Sequence, residues 1–593
     1  MAIGNAPSGA DLLCRALIGE GVEVLFGHPG GAILPFYDAI HRDGRLRHVL
    51  MRHESGAAHA ADGYSRASGR VGVCVATSGP GATNLVTGLA TAMMDSVPLV
   101  ALTGQVARSV LGTDAFQETD VLGVTAPVTK YGFLVQAARD VPRVVDEAFR
   151  LARSGRPGPV VIDVPKDVQA EPCDQPDGTV RADAAGADER LEGEGSGGEC
   201  VGTHERSGTG DRFRTGVPAG DVARAAAMLN AAERPLLMVG RGVLLGDVVS
   251  QVRRLAEWAE VPVVTTLLGL DAFPASHGLA LGLPGMHGTP RANYAIQEAD
   301  LVVGLGVRFD DRVVGRARDF APRARLVHFE IDPTVVGRTV QPDLVVLGDL
   351  RATLPALLAQ IRPRTRPAWL GRLETWERAA EPRRSVADPS ARPAPREVIR
   401  SVAARVSRSK GIVVTDVGQH QMWLAQELPD VEPACHLTSG GLGTMGYALP
   451  AGIGAAVARP GREVWVVAGD GGFQMNIQEL ATVVQERLRL RIAVINNGYL
   501  GMVRQWQELF YDRRYSASEI SGPDFAAVAA AYGLVSRKVA RDGDVESALA
   551  DASAADGSAL VDLQVEREDN VYPIVPAGAS LDELVTAPEA VAS

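Results

Sequence analysis

The residues best equipped for chemistry stand where Gly469-Asp470-Gly471 closes one hydrophobic run, EVWVVA, and Asn496-Asn497 closes the next, RIAVI. Glycine has no Cβ, so its backbone can approach a phosphate closely. Asp470 and the amide oxygen of Asn497 are hard oxygen donors, and Mg²⁺ takes one or two such groups alongside phosphate oxygens. Together they predict a site for a diphosphate and its metal. An Asp-Gly pair alone more often makes a turn. The ligand reading gains its weight from two strands that deliver Asp and Asn side by side.

The elements that must position such groups recur along the chain as short β-branched runs ending in Gly, Asp or Asn. They include VGVCVAT (71–77), PLVALTG (98–104), PVVIDVP (159–165), PLLMVGRG (235–242) and VPVVTT (261–266). LVVGLG (301–306), RLVHFEID (325–332), GIVVTDVG (411–418), EVWVVAGDGG (463–472) and RIAVINN (491–497) continue the series. Near-continuous hydrophobic strands between helical-period segments mark parallel sheets covered on both faces. Ligands in such folds collect beyond the carboxyl ends of the strands. The expected fold class is α/β, with three doubly wound parallel-sheet domains at 1–170, 217–361 and 397–565. Residues 171–216, rich in Gly, Asp, Glu and Ser, bury too little apolar surface to offset ordering and read as a flexible linker. Residues 362–396, dense in Arg and Pro around a helical-looking WLGRLETWERAAE, read as a surface connector, and 566–593 as a tail. No short-period repeat occurs; the first and third domains are candidates for distant copies of one architecture.

Composition narrows the classes. The 593 residues are 46% apolar and 22% charged, the balance of an ordinary globular protein of several domains. Net charge is −12, and no basic cluster tracks a phosphate backbone, so nucleic acid is not expected as a partner. No apolar run is long enough to span a membrane. Cys14, Cys74, Cys173, Cys200 and Cys435 are scattered and show no metal-ligand spacing, which fits a reducing cytoplasm. The opening MAIGNAPSGADLL has no charged region followed by an apolar stretch, so no targeting leader is expected. Lys130, Lys166, Lys410 and Lys538 are the only lysines in a chain that otherwise uses arginine, which draws attention to them.

The Asp470/Asn497 pattern resembles the thiamine-diphosphate fingerprint of the pyruvate-decarboxylating enzymes. Over nearly its whole length the chain is similar to the catalytic large subunits of the acetohydroxyacid (acetolactate) synthase family. The similarity is carried by GHPGGAILPFYDAI (27–40), RHESGAAHAADGYSRASG (52–69), TSGPGATNLVTG (77–88), GTDAFQE (112–118) and SGRPGPVVIDVPKDV (154–168). GMHG (285–288), RFDDRVVG (308–315), VGQHQMW (417–423), TSGGLGTMGYALP (438–450) and NNGYLGMVRQWQELF (496–510) extend it. The departures are His28 for the commoner Tyr, Ser55 for the usual Gln, and the long 171–216 segment. Ser55 adjoins the proton-relay residue, which puts fine tuning rather than the reaction in question.

The resemblance implies three cofactors, thiamine diphosphate, Mg²⁺ and FAD, and assigns residues to each. Glu54 would hold a proton at the pyrimidine ring nitrogen, although a Glu opening a helix is ordinarily a capping carboxylate. Pro29, Gly31, Gly443, Gly469, Gly471, Gly472 and Met502 would line the thiamine site. Gln419 and His420 would reach the diphosphate, Met445 would wedge beneath the bent cofactor, and the Tyr499 carbonyl would complete the metal shell of Asp470 and Asn497. For FAD, Arg156, Arg308 and Arg312 would bring forked donors. Glu330, Asp332 and Asp349 would accept ribose or ribityl hydroxyls. Gly240, Gly242, Thr265, Met286, His287, Gly306, Asp310, Ile331 and Gly348 would complete that groove. Gln117 and Lys166 are expected at the reaction centre, with Phe116, Arg308, Met502 and Trp506 around the substrate.

The implied reaction decarboxylates pyruvate and transfers the two-carbon unit to a second 2-keto acid. Pyruvate as acceptor gives 2-acetolactate, and 2-ketobutyrate gives 2-aceto-2-hydroxybutyrate, at the entry to valine, leucine and isoleucine synthesis. The family resemblance also implies at least a dimer with active sites between subunits, a small regulatory subunit, and a C-terminal lid in VYPIVPAGASLDEL (571–584). A sister enzyme such as a pyruvate oxidase, another carboligase, or a catalytically silent paralogue are the alternatives. A glyoxylate carboligase lacks the glutamate that Glu54 supplies.

Overall fold

The computed structural model describes residues 6–173, 217–380 and 388–587. The expected linker therefore lies outside the described residues from 174 onward, as do 381–387 of the connector and 588–593 of the tail. The described remainder forms three six-stranded sheets in which every pairing is parallel.

The first sheet contains β1 (Val24–Gly27), β2 (Arg47–Leu50), β3 (Gly72–Ala76), β4 (Leu99–Gln105), β5 (Tyr131–Leu134) and β6 (Pro159–Pro165), ordered β2-β1-β3-β4-β6-β5. The second contains β7 (Pro235–Val239), β8 (Val263–Thr265), β9 (Ala280–Gly282), β10 (Leu301–Leu305), β11 (Arg325–Glu330) and β12 (Leu344–Leu347), ordered β12-β11-β10-β7-β8-β9. The third contains β13 (Ile412–Thr415), β14 (His436–Thr438), β15 (Val464–Gly469), β16 (Leu490–Asn496), β17 (Val535–Val539) and β18 (Ala559–Gln564), ordered β14-β13-β15-β16-β18-β17. Counted from their own first strands, the first and third sheets share one order. The middle sheet has the mononucleotide-binding order, whose crevice opens where the strand sequence reverses, here between β7 and β10.

Helices cover both faces, so the central strands β3, β4, β6, β7 and β10 are buried along their whole length. The helix Glu54–Ser68 is buried at nearly every position, because its sequence is mostly small residues that let neighbours approach from all sides. It packs against Ala448–Ala458 of the third domain. Gly63 meets the Ala451 backbone and Gly454 meets that of Ala60 so closely that a Cβ at either would overlap it. A buried ionic cluster sits at the same contact. Arg66 pairs with Asp62 at 2.6 Å and Asp95 at 2.7 Å, and the Tyr447 hydroxyl donates to Asp62 at 2.6 Å. These contacts set the first domain against the third.

The helical part of the connector, Pro367–Ala380, is docked rather than loose. Trp369 and Leu373 are buried in the middle domain, and the Trp369 indole donates to the Pro235 carbonyl at 3.1 Å. The tail runs back from the third domain across the middle one. Val575 donates its N–H to the Met286 carbonyl at 2.8 Å, and Gln297 reaches the Ser580 hydroxyl at 2.9 Å.

Candidate active site

A single cavity of about 950 Å³ gathers the carboxyl ends of the second and third sheets. From the third sheet it is lined by Gln419 and His420 after β13, Gly443 and Met445 after β14, Gly469, Asp470, Gly471 and Gly472 at β15, and Asn497, Tyr499, Met502 and Trp506 after β16. β13 and β15 flank the point where this sheet's strand order reverses, so Asp470 stands at a crevice that the topology itself creates. From the second sheet come Gly240 and Gly242, Met286 and His287, Gly306, Arg308, Asp310 and Arg312, Glu330 and Ile331, and Gly348 and Asp349. Thr265 is buried within β8, and its neighbour Thr266 lines the cavity instead. Asp332 also lies off the lining; it accepts the Thr334 N–H at 2.9 Å and stands 3.7 Å from Arg156.

The Asp470 corner of the cavity has one carboxylate and one amide. Asp470 accepts the Gly498 N–H at 3.0 Å, Asn497 Oδ1 accepts the Tyr499 N–H at 3.0 Å, and burial raises the Asp470 carboxyl to about 6. Among the described residues no group of three or more His, Cys, Asp or Glu could hold a metal. A divalent ion at Asp470 would need further oxygen ligands from elsewhere, as Mg²⁺ shared with a diphosphate does. His420 fits the same ligand. Burial lowers its pKa to about 4, so its ring is neutral, and its Nε2 has no hydrogen-bond partner in the protein. Met445 lies over Gly471, its Cε 3.5 Å from where a Cβ there would stand. Gln419 lies beside Asn497, whose amide donates to its Oε1 at 3.4 Å, while its own amide donates to Gln505 Oε1 and to the Asp569 carbonyl, each at 2.9 Å.

Several glycines serve packing more than ligand approach. A Cβ on Gly242 would stand 2.6 Å from Gly306 Cα, and one on Gly306, whose φ is +59°, 2.5 Å from Gly242 Cα. Gly240 packs on the Gly306 carbonyl, and Gly472 leaves no room for a Cβ beside the Asp416 carboxylate. The turns after β7 and β10 are thus pressed together at the crevice. Asp416 is buried, accepts N–H groups from Val417, Gly446 and Ala448, and so orients the Met445 turn. Sequence reasoning missed it, although it is the carboxylate directly after strand β13.

In the half of the cavity beside the second sheet, Arg156 donates to the Ser96 hydroxyl at 2.8 Å and the Met93 carbonyl at 3.1 Å. Burial, and then Arg308, hold its guanidinium below the usual arginine range. Glu330 Oε1 accepts the Ile331 and Asp332 N–H groups, and Asp310 and Asp349 cap the helices they precede. Asp349 also chelates Arg351. Arg312 lies over the Trp506 ring, 5.8 Å from its centroid, while the Trp506 N–H is buried without a partner. Buried indole N–H groups ordinarily find an acceptor. This one is available to a ligand.

The remaining candidates stand at the carboxyl end of the first sheet and outside the cavity. Pro29 and Gly31 follow β1, Glu54 follows β2, Phe116 and Gln117 follow β4, and Lys166 follows β6. Pro29, Gly31 and Lys166 are exposed, and Phe116 is 88% exposed. Glu54 is buried as the first residue of its helix, capped by His53, and accepts the Asn84 side-chain N–H at 3.0 Å. Ser55 lies 2.7 Å from the His53 ring, and His28 donates to the Met51 carbonyl at 2.9 Å. Glu479, fully buried in the third domain and unremarked in the sequence, accepts the Arg52 and His53 N–H groups at 3.0 and 3.1 Å. It pins the start of the Glu54 helix.

Comparison with known proteins agrees with this layout. Residues 7–124, 222–357 and 416–563 match the N-terminal TPP binding domain, the central domain and the C-terminal TPP binding domain of thiamine pyrophosphate enzymes. The chain is 45% identical over 601 residues to an acetolactate synthase large subunit from Parasynechococcus marenigrum, covering 98% of this chain and 92% of that protein. It is 44% identical over 582 residues to the acetolactate synthase isozyme 2 large subunit of Escherichia coli, covering 98% and 99%. A probable acetolactate synthase large subunit from Methanocaldococcus jannaschii is 41% identical over 586 residues, covering 97% and 95%. With three domain matches in order and end-to-end identity of this size, the chain belongs to the thiamine pyrophosphate enzymes, within their acetolactate synthase large-subunit family.

Proposed function

We propose that the protein is the catalytic subunit of an acetolactate synthase, converting two 2-keto acids, at least one of them pyruvate, into a branched acetohydroxy acid and CO₂. The observation that carries this reading is one cavity in which Asp470, Asn497 and His420 face Arg308, Arg312 and Trp506. Thiamine diphosphate, when bound, supplies an acidic thiazolium carbon and an electron sink for decarboxylation. Asp470 and Asn497 would hold Mg²⁺ against its diphosphate, with the neutral His420 ring as a further polar partner. Met445, lying over Gly471, would support the cofactor from below. Arg308 would pair its fork with the carboxylate of the incoming keto acid. Trp506 would close the acceptor side.

The groove between β7 and β10, with Arg156 and Arg308 at its edge, is proposed for FAD. The condensation has no net redox change, so a flavin there would be structural. Glu54, Gln117, Phe116 and Lys166 stand outside the cavity of their own chain, and we propose that a second copy brings them to it. Glu54 would then hold a proton at the pyrimidine nitrogen of its partner's cofactor. The large-subunit relatives imply a small regulatory subunit as companion. The four described cysteines are buried and free, which supports a reducing cytoplasm; no described helix is long and apolar enough to cross a membrane.

The test is incubation with pyruvate, thiamine diphosphate, Mg²⁺ and FAD, with and without 2-ketobutyrate, followed by product identification. Acetolactate, joined by 2-aceto-2-hydroxybutyrate when 2-ketobutyrate is present, is expected. Acetate with peroxide would point to an oxidase instead.

A further inference from the structure

The segment after β3, residues 77–84, a turn that enters the short helix Pro80–Asn84, has no role in the assignments above, yet it touches three of the segments that carry them. Thr77 accepts the Ala32 N–H at 3.2 Å, and its side chain fills the space beside Gly30 between Pro29 and Gly31. Gly79, at φ +59°, leaves no room for a Cβ, which would stand 2.8 Å from the Gln117 carbonyl oxygen. The short helix then reaches Glu54 at both oxygens. A Cβ on Gly81 would stand 3.2 Å from Oε1, and Asn84 Nδ2 donates to Oε2 at 3.0 Å. Among the described residues this is the one hydrogen bond to that carboxylate.

A carboxylate at the first turn of a helix can rotate about its side-chain bonds unless something holds it. Asn84 engages one oxygen, and glycine at 81 keeps the other clear. We propose that Asn84 is the positioning residue for Glu54: its amide holds Oε2 so that Oε1 is presented for proton exchange. The proposal rests on Glu54 being the proton carrier. It adds the group that keeps that carboxylate in one orientation. A hydrogen bond to a charged group is stronger than one between neutral groups, so its loss is felt at the acid even where the fold is untouched.

The test uses the holoenzyme and three variants, Asn84→Asp, Asn84→Ala and Glu54→Gln. Asn84→Asp keeps the size and replaces the donor with a second carboxylate, while Asn84→Ala deletes the amide at a half-buried position. The readouts are hydrogen–deuterium exchange at the cofactor's thiazolium C2 by NMR, cofactor affinity by fluorescence titration, and the KM and kcat for pyruvate. Both Asn84 variants are expected to slow exchange and kcat about tenfold or more, with cofactor affinity and KM within about threefold of the parent. Parent-like exchange in both, with Glu54→Gln slowed, would overturn the role of Asn84. Slowing matched by an equal loss of cofactor affinity would overturn it too, since general loosening of the segment would then account for the effect. Parent-like exchange in Glu54→Gln would remove the underlying reading of Glu54.

Discussion

His420 and Trp506 each present a buried ring nitrogen with no partner in the protein, one at the Asp470 end of the cavity and one at the Arg312 end. Buried polar atoms are normally satisfied, so such orphans in one cavity mark the directions from which a ligand must supply acceptors or donors. Asp470 belongs with them. Its carboxyl is raised to about 6 by burial. Trp506 lies under Arg312 in the cavity wall, and on the proposed reading it bounds the acceptor side. Trp506→Leu is expected to leave acetolactate formation active while reducing preference for 2-ketobutyrate over pyruvate. One methylene is worth only about 1–3 kcal/mol in a pocket, so a shift of roughly tenfold in product ratio is the scale to look for. A two-acceptor competition assay reads it directly, and unchanged ratios would remove Trp506 from acceptor choice.

At the scale of elements, the placing of Glu54 depends on how two small-residue helices meet. Gly63 and Gly454 allow the backbones of Glu54–Ser68 and Ala448–Ala458 to touch, and Glu479 grips the two N–H groups just before the first helix. A methyl group at Gly454 would push against the Ala60 carbonyl, which cannot swing away as a side chain could. Gly454→Ala is therefore expected to destabilise by about 1–3 kcal/mol, the usual cost of overpacking. Thermal unfolding checks the loss. Activity measured well below the unfolding temperature should also fall, because the helix that carries Glu54 shifts with its neighbour. Similar reasoning explains why Gly242 and Gly306 cannot be exchanged freely: the crevice between β7 and β10 exists because their turns touch.

Across the whole molecule, three parallel sheets direct their carboxyl ends so that two of them share one cavity while the third displays its own candidates elsewhere. Phe116 is almost wholly exposed and Glu54 lies outside that cavity, which supports the proposal that a complete site combines the first sheet of one copy with the third of another. Mixing Glu54→Gln protein with Asp470→Asn protein, each inactive alone, is expected to restore about a quarter of parent activity once subunits exchange, as random pairing into two-fold dimers gives. In a mixed dimer one site has both native residues and the other neither. Absence of any recovery after verified exchange would place each complete site within a single chain.

Much of this layout is local and legible in the sequence. Buried parallel strands are written as continuous apolar runs, and the groups that follow their last residues lie at the ligand-binding edge by the geometry of βα units. That is why the positions of Asp470, Asn497 and Glu330 follow from the strands before them, whereas Arg308 comes only from the family resemblance. The short or half-exposed strands, such as β2, β5, β9 and β17, carry too little apolar pattern to be read, and the joining of the second and third sheets in one cavity has no local signature. Nor do the contacts that hold the candidates in place. Asn84 reaches Glu54, Glu479 reaches Arg52, and Gly242 meets Gly306 only after distant segments pack, because a hydrogen bond or a close backbone contact depends on separation in space, and periodicity along a chain records only which side of each element is buried.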